Sequence, residues 1–420
     1  MTNRPKIVII GAGFGGISLA KKLSKSEVEI VLIDKNNFHT FQPLLYQVAT
    51  GGLEPSNIAY PVRRVFRDKP NVKFRMAEVK NADFEKNTLH TSIGEISYDY
   101  LVIATGSTNN FFNFAPIQND FYSLKTVSEA LNIRNTLMTN LELLNNISDE
   151  DLKDETVNIS IVGAGPAGIE IAGALAEMKK KVLPKDFPEF DFSRMNIYLF
   201  EAADKVLASM SPKSSKAALE YLKGLDVSVM LNAKVQNFDK RKVYLEDGTV
   251  YKSSTVIWTA GVKAATIEGF TNENLAGGRI KVNEFNQVND YKNVFAIGDV
   301  ATKIDTENPK GLPMLAQVAI QQGNHLSKNL IKLIENKPMK AFKYFNKGIM
   351  ATIGRNKAVV ELPQFEFRGR FAWFVWMFVH LMSLVGFRNK LITFVDWAHN
   401  YFSYDRPLGA IIRKFEKKGE

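Results

Sequence analysis

The chain contains no cysteine. That absence excludes a disulfide framework, thiolate-ligated zinc, a cysteine-ligated iron–sulfur cluster and a cysteine nucleophile. Any redox chemistry must therefore run without a sulfur pair. Histidine is scarce as well: five residues, scattered and without a carboxylate cluster, give no reason to expect a metal site. Long apolar runs are missing too. The longest, Phe371 to Val385, has 15 residues and is interrupted by His380 and Ser383, short of the roughly 20 that a bilayer-spanning helix needs. The opening Met1-Thr-Asn-Arg-Pro-Lys6 carries neither a signal-peptide core nor an Arg/Ser-rich transit pattern.

With 420 residues, 45% of them hydrophobic and 23% charged, the chain is long enough for two to three domains with sizeable cores. The formal charge of +10 favours an anionic partner. The basic residues follow no nucleic-acid-binding motif, so a lipid surface is expected rather than DNA or RNA.

One pattern occurs twice. Ile7-Val-Ile-Ile10 is a continuous β-branched run, as expected of a strand buried on both faces. It leads into Gly11-Ala12-Gly13-Phe14-Gly15-Gly16, a helical period over Ile17–Leu23, and a second strand, Val28–Ile33, closed by Asp34 and followed by Lys35. Strand, G-x-G-x-x-G, helix, strand and acid in that order form a dinucleotide-binding fingerprint. Gly11 allows the tight turn, Gly13 lets a pyrophosphate approach the backbone, and Gly16 permits close helix–strand packing. The helix N-terminus favours the phosphates, and Asp34 can accept bonds from ribose hydroxyls.

The second copy runs from Val157–Val162 through Gly163-Ala-Gly165-Pro-Ala167-Gly168 to a strand ending at Glu201. Its acid comes 38 residues after Gly163, against roughly 20 in the usual motif; a polar insert over Lys179–Arg194 accounts for the excess. An acid there repels a 2′-phosphate, so NADH rather than NADPH is expected. Two sites imply two dinucleotides, and FAD with NADH is the economical pairing. Asp99–Gly106, with Ala104 and Gly106 in its terminal turn, and Val256–Gly261, ending in Ala260-Gly261, are matching strand ends; Asn293–Asp299 ends in Gly-Asp.

In this order the segments resemble the two-dinucleotide-binding flavoproteins, whose Gly-Asp aspartate binds the flavin's sugar-phosphate side. Disulfide reductases and sulfide oxidisers of that superfamily use cysteines, so composition excludes those branches. Four stretches sharpen the resemblance to type II NADH:quinone oxidoreductases, the single-subunit NADH dehydrogenases that pump no protons: Asn37–Gly51, Glu170, Ala316-Gln317-Val-Ala-Ile-Gln321-Gln322-Gly323, and Phe371–Leu381. The resemblance implies non-covalent FAD on Gly11–Gly16, Asp34, Lys35, the Val79 backbone, Ala104, Gly106, Asp299 and Ala316. It implies NADH on Gly163, Gly165, Ala167, Gly168, Glu170, Glu201, Ala260 and Gly261, and quinone at Gln317, Gln321 and Gly323. Glu170 and Gln317 are the expected catalytic residues. Read without the family, Glu170 is a first-turn helix acid and the glutamines are a polar helix face.

Arg368–Tyr404 holds three of the four tryptophans, Trp373, Trp376 and Trp397, together with Phe371, Phe374, Phe378, Phe387, Phe394 and Phe402. Basic residues bracket them: Arg368, Arg370, Arg388, Lys390, Arg406, Arg413, Lys414, Lys417 and Lys418. Two short helices separated near Gly386 and rimmed with cations would form a monotopic anchor on an anionic leaflet. A hydrophobic dimer interface or core lid reads the same way, and the resemblance implies a homodimer through this region.

The expected fold is α/β: two Rossmann-like dinucleotide-binding domains, one inserted in the other, plus a C-terminal amphipathic helical region. The FAD-binding domain would be 1–111 with 282–337, the NADH-binding domain 112–281, and the anchoring or dimerising region 338–420. The expected reaction is NADH oxidation with two-electron reduction of a membrane quinone, at the cytoplasmic face of a bacterial inner or plasma membrane. Two alternatives stay open: a soluble flavin-dependent NADH reductase of an iron–sulfur or haem protein, and a non-enzymatic NADH-binding flavoprotein.

Overall fold

The computed structural model describes residues 4–239, 241–306, 308–403 and 410–411. The expected basic residues Arg406, Arg413, Lys414, Lys417 and Lys418 lie outside the described residues. The chain forms two compact units: Met1–Thr40, Tyr60–Thr108 and Val262–Asn346 make the first; Phe41–Ala59, Asn109–Gly261 and Lys347–Glu420 make the second.

The first unit is built on a five-stranded parallel sheet in the spatial order Val294–Ala296, Tyr100–Ile103, Lys6–Ile10, Glu29–Asp34, Val72–Met76. Successive residues of the central strand point to opposite faces. Ile7 and Ile9 pack with Ile17 and Leu19 of the Phe14–Leu23 helix and Leu326 and Leu330 of the Ala316–Ile334 helix. Val8 and Ile10 pack on the other face with Ala82 and Leu89, which belong to an antiparallel ribbon, Val79–Asp83, Thr88–Thr91, Gly94–Ser97. Burial on both faces explains why the strand is an unbroken apolar run.

The second unit repeats the plan. Its parallel sheet runs Tyr122–Ser123, Thr255–Trp258, Ile159–Val162, Ile197–Phe200, Val227–Met230, with a three-stranded ribbon over Val235–Asp239, Lys242–Leu245 and Val250–Lys252. The Pro166–Lys181 helix follows the central strand. The chain later forms a small antiparallel sheet, Ile349–Thr352, Ala358–Glu361, Glu366–Arg368, and two helices, Arg370–Ser383 and Phe387–Ser403. Gly386, at φ +85°, lies in the break between them, as the sequence predicts. The α/β class, the doubled Rossmann-like plan and the helical C-terminal region are all present. Among the described residues no helix is long and apolar enough to cross a membrane.

One expectation is corrected here. Trp376 and Trp397 do not belong to an outward aromatic face; they are 1% and 8% exposed and pack within the second unit. The large apolar residues turned outward on the two helices are Phe371, Phe374, Phe378, Val379, Met382, Phe387, Leu391, Phe394, Val395 and Phe402.

Candidate functional site

Both glycine loops are set by contacts that only glycine tolerates. A Cβ on Gly11 would lie 2.3 Å from the Ala104 carbonyl oxygen, and one on Gly16 would lie 1.8 Å from that of Gly11. A Cβ on Gly13 would meet nothing within 4 Å. Gly11 and Gly16 therefore serve packing of the chain on itself, whereas Gly13 borders open space at a helix N-terminus, the cradle a pyrophosphate requires. Gly163, Gly168 and Gly165 divide in the same way: Cβ atoms on the first two would lie 2.7 Å from Ala260 Cα and 1.9 Å from the Gly163 carbonyl oxygen, and one on Gly165 would meet nothing within 4 Å.

The two acids also match. Asp34 accepts from the Ala12 N–H through Oδ2 and the Asn36 N–H through Oδ1, both at 2.7 Å. Glu201 accepts from the Ala164 N–H through Oε2 at 2.7 Å and the Ala203 N–H through Oε1 at 2.9 Å. The long insert before Glu201 thus leaves its carboxylate in the place Asp34 holds in the first unit. Burial pushes the Asp34 pKa up, partly opposed by its backbone bonds and Lys35. Lys35 itself is exposed. Sequence reasoning missed His39, which is buried, bonds the Ala12 carbonyl through Nδ1 at 2.9 Å and meets the Phe14 ring edge-on; burial holds its pKa down.

The remaining FAD-side candidates gather in the first unit. Ala77 N–H bonds the Asp34 carbonyl at 3.0 Å, which brings the half-buried Val79 to the end of that strand. Ala104 backs Gly11, and Gly106, at φ +73°, has nothing within 4 Å of its Cβ position. Asp299 accepts from Ser107 Oγ at 2.5 Å. Its carbonyl, with those of Ala301 and Leu312, is held by the buried Arg279 guanidinium, a residue the sequence reading did not single out. The open Gly13 and Gly106 positions, the phosphate-facing helix end and the paired acid fit FAD.

The glutamine string resolves into separate jobs. Gln322, buried, accepts from the Gly298 N–H at 2.7 Å and ties the Ala316–Ile334 helix to the Gly-Asp turn. Gly323 lies where that helix crosses the first glycine-loop helix, its Cβ position 2.6 Å from the Gly15 carbonyl oxygen. Gln321 exchanges two bonds with the Phe345 backbone, at 2.9 and 3.0 Å. Ala316 begins the helix and Gln317 follows it, both half-buried.

In the second unit Thr259 Oγ1 donates to the Val162 and Gly163 carbonyls, both at 2.9 Å, so it bonds the backbone on which the glycine loop is mounted. Ala167 is exposed. Gly261, at φ +143°, has its Cβ position 3.3 Å from the Phe112 ring. Glu170 is not the first-turn acid expected: Pro166 starts the helix, so Glu170 falls in the second turn, turned inward and buried. Burial raises its pKa to about 8, against a weak bond from the Thr352 N–H and the nearby Trp376 indole. A carboxyl with that pKa is protonated at neutral pH. The Trp376 ring stacks on His380 with centroids 4.0 Å apart, and burial lowers the His380 pKa to about 4.

Beside Glu170 is a cleft of about 640 Å3, partly open to solvent. Its walls are aromatic, with Tyr46, Trp373, Trp376, Trp397 and Tyr401, and polar groups come from Gln47, Thr50, Asn400 and Arg355. Gln47 and Thr50 lie in the Asn37–Gly51 stretch quoted for the family resemblance, although no ligand was assigned to it. Among the described residues no His, Asp or Glu cluster could hold a metal ion.

Residues 5–323 match the Pyridine nucleotide-disulphide oxidoreductase family and 346–404 the NDH2 C-terminal domain family. A type II NADH:quinone oxidoreductase of Mycobacterium tuberculosis is 33% identical, the alignment covering 96% of this chain and 89% of that protein. The Haemophilus influenzae enzyme of that name is 28% identical over 94% and 98% of the two chains. The solved structure of NDH2 from Plasmodium falciparum in complex with NADH shares the fold at a TM-score of 0.90 and 21% identity, covering 97% of this chain and all of that one. The sulfide:quinone oxidoreductase of Aquifex aeolicus shares it less closely, at a TM-score of 0.73 and 21% identity over 95% of each chain. Doubled glycine loops, doubled acids, a cysteine-free sequence and similarity over nearly the whole length converge: the chain belongs to the type II NADH:quinone oxidoreductases.

Proposed function

We propose that the protein oxidises NADH and reduces a membrane quinone to quinol, with FAD in the first unit and NADH in the second. The observation that carries this reading is the repeated arrangement of open central glycine and backbone-anchored acid, Gly13 with Asp34 and Gly165 with Glu201. Bound FAD would supply the two-electron redox centre, which takes a hydride from NADH and passes electrons on to quinone.

The chain's own residues bind, orient and supply protons. The Gly11–Gly16 loop, Asp34, Lys35, Val79, Ala104, Gly106, Asp299 and Ala316 hold FAD. Gly163, Gly165, Ala167, Gly168, Glu201, Ala260 and Gly261 hold NADH, and Glu201 selects it over NADPH by repelling a 2′-phosphate. Gln317 offers a neutral amide to a quinone carbonyl, whereas Gln321 and Gly323, also expected at the quinone, are taken up by the Phe345 backbone and by the helix crossing at Gly15. The aromatic cleft takes the flat ring and apolar side chain of the quinone, because stacked indoles favour such a ligand while excluding water. Glu170, protonated at neutral pH, is the proton-holding group beside that cleft; quinone reduction consumes two protons and hydride transfer itself needs none. In domain terms, the expected division into 1–111 with 282–337 for FAD and 112–281 for NADH is redrawn along the two units, with 41–59 going to the second and 262–281 to the first, and 338–420 serves anchoring and dimerisation.

The outward apolar rows of the last two helices, with Arg368, Arg370, Arg388 and Lys390 nearby, support peripheral attachment to an anionic leaflet, at the cytoplasmic face of a bacterial membrane. A homodimer through the same region is part of the reading. Steady-state turnover with liposome-dissolved quinone tests the reaction: the expected outcome is equal yields of NAD+ and quinol, and NADH loss without quinol would contradict it. Charging the outward face with Phe378→Glu and Phe394→Glu should release the protein from anionic vesicles in a sedimentation assay. Unchanged pelleting would argue against the anchor.

A further inference from the structure

The Phe387–Ser403 helix is amphipathic in the reverse sense for a helix on a water-soluble protein. Its outward side is apolar: Phe387, Leu391, Phe394, Val395 and Phe402 are 53% exposed or more. Its inward side carries Asn389, Thr393, Asp396, Trp397 and Asn400, spaced at the three- and four-residue steps of one helix face. Hydrogen bonds therefore do much of the inward docking, and all of those given below end on one segment.

That segment is Phe41–Ala59, built of short pieces only: a turn of 3-10 helix at Gln42–Leu44 and the short helices Leu45–Ala49 and Pro55–Ile58. Its short Pro55–Ile58 helix ends with carbonyls that have no intrahelical partner. The Asn389 amide satisfies them, donating to the Ser56 and Asn57 carbonyls at 3.0 Å each and to that of Ala59 at 3.3 Å. Asn57 Nδ2 donates back to Asp396 Oδ2 at 2.6 Å. Further along, Trp397 Nε1 donates to Gln47 Oε1 at 2.7 Å, and Gln47 Nε2 to the Tyr46 hydroxyl at 2.9 Å. Asn400 Nδ2 reaches the Gly52 carbonyl at 3.0 Å. Tyr46, Gln47, Thr50 and Gly52 are walls of the aromatic cleft. One helix face thus fixes the Gly52 carbonyl and the Tyr46 and Gln47 side chains on one side of that cleft, and Asn389 holds three carbonyls of the same segment just beyond that wall.

We propose that Asn389 is a positioning residue for the quinone-reducing half of the reaction, acting through the Phe41–Ala59 segment it clamps. The proposal rests on the reading of the aromatic cleft as the quinone site. It separates the two half-reactions: loosening the clamp displaces the cleft wall and leaves both glycine loops untouched.

The test uses the FAD-loaded full chain carrying Asn389→Leu, which keeps the side-chain bulk and removes the donors. FAD content and the rate of NADH-driven flavin bleaching should stay at wild-type values, while KM for a short-chain quinone rises about tenfold, the size of effect expected when buried carbonyls lose their donor. Asn389→Gln, which keeps an amide donor on a longer side chain, should raise KM about two- to threefold; it also carries the test if Asn389→Leu does not fold. Unchanged KM in the variants, or parallel loss of FAD, bleaching and quinone turnover, would overturn the proposal. Tryptophan quenching by the same quinone checks the underlying reading separately, because Trp373, Trp376 and Trp397 line the cleft. Quenching in the wild type, weakened in Asn389→Leu, supports both. No quenching in a wild type that still turns over would overturn the cleft reading and the proposal with it, whereas intact quenching with unchanged KM would overturn only the role of Asn389.

Discussion

A Cβ added to Gly16 would sit 1.8 Å from the Gly11 carbonyl oxygen; one added to Gly168 would sit 1.9 Å from that of Gly163. The same steric demand recurs, yet the surroundings differ. In the first loop His39 bonds the Ala12 carbonyl and the Ala104 carbonyl closes on Gly11. In the second, Thr259 bonds the carbonyls before the turn, Ala260 closes on Gly163, and Pro166 opens the helix. The cradle for a pyrophosphate is thus a local solution, reached twice with different supports. What distinguishes the two nucleotides has to come from residues outside the cradle.

Substitution of the packing glycines should separate the loops most sharply. Gly16→Ala and Gly168→Ala introduce equal clashes, costing about 1–3 kcal/mol or more, but the losses should differ. The Gly16→Ala protein should purify without flavin, whereas Gly168→Ala should stay yellow and fail to bleach with NADH. If either variant lost both properties, the loops would not serve separate nucleotides. The next largest effect concerns the second acid. Glu201→Ala removes a charged acceptor, and KM for NADH should rise about 10- to 100-fold; a nearby arginine added to it should favour NADPH. Unchanged NADH/NADPH discrimination would show that Glu201 does not face the ribose.

Glu170 has no counterpart in the first loop: the matching helix carries no acid in its buried face. Its pKa, lifted from the ordinary 4.5 to about 8, means that the folded chain keeps a proton the unfolded chain releases. The resulting stability is fully present below about 4.5 and is lost as pH rises toward 8. Glu170→Gln should therefore flatten the pH dependence of Tm across that window and melt higher than the wild type near pH 8. The quinone-dependent rate should fall above about pH 8 in the wild type, and Glu170→Gln should lower it at neutral pH. A wild-type Tm profile matching the variant's would show that the carboxyl is not buried protonated. The smallest effect on folding belongs to Gly13→Ala. With no atom within 4 Å of the new methyl, Tm should stay near the wild-type value while FAD binds more weakly; a large drop in Tm would mean that Gly13 serves packing after all.

The parts legible in the sequence were those encoded locally. A glycine loop, its helix and its acid lie within one short stretch, and the apolar run before each loop already signals a strand buried on both sides. Glu201 was less legible because an insert stretches the spacing, although the fold returns its carboxylate to the place Asp34 holds. The aromatic tail was legible as two helices but not as to which face turns inward. Trp376 and Trp397 have the composition of an anchor, and they turn inward against Tyr46 and Gln47, which meet them from more than three hundred residues away in the chain. Arg279 and His39 look ordinary in sequence, and Gln322 is marked there only as part of the glutamine string; the role of each appears only once the backbone groups it satisfies have been folded next to it.

The central claim is that electrons pass from NADH to quinone through a flavin with no sulfur between. Anaerobic stopped-flow spectroscopy on the purified protein tests it most directly. NADH should bleach the flavin band in a single turnover, and a quinone added afterwards should restore it. Bleaching that quinone cannot reverse, or a protein with no yellow band to bleach, would contradict the account.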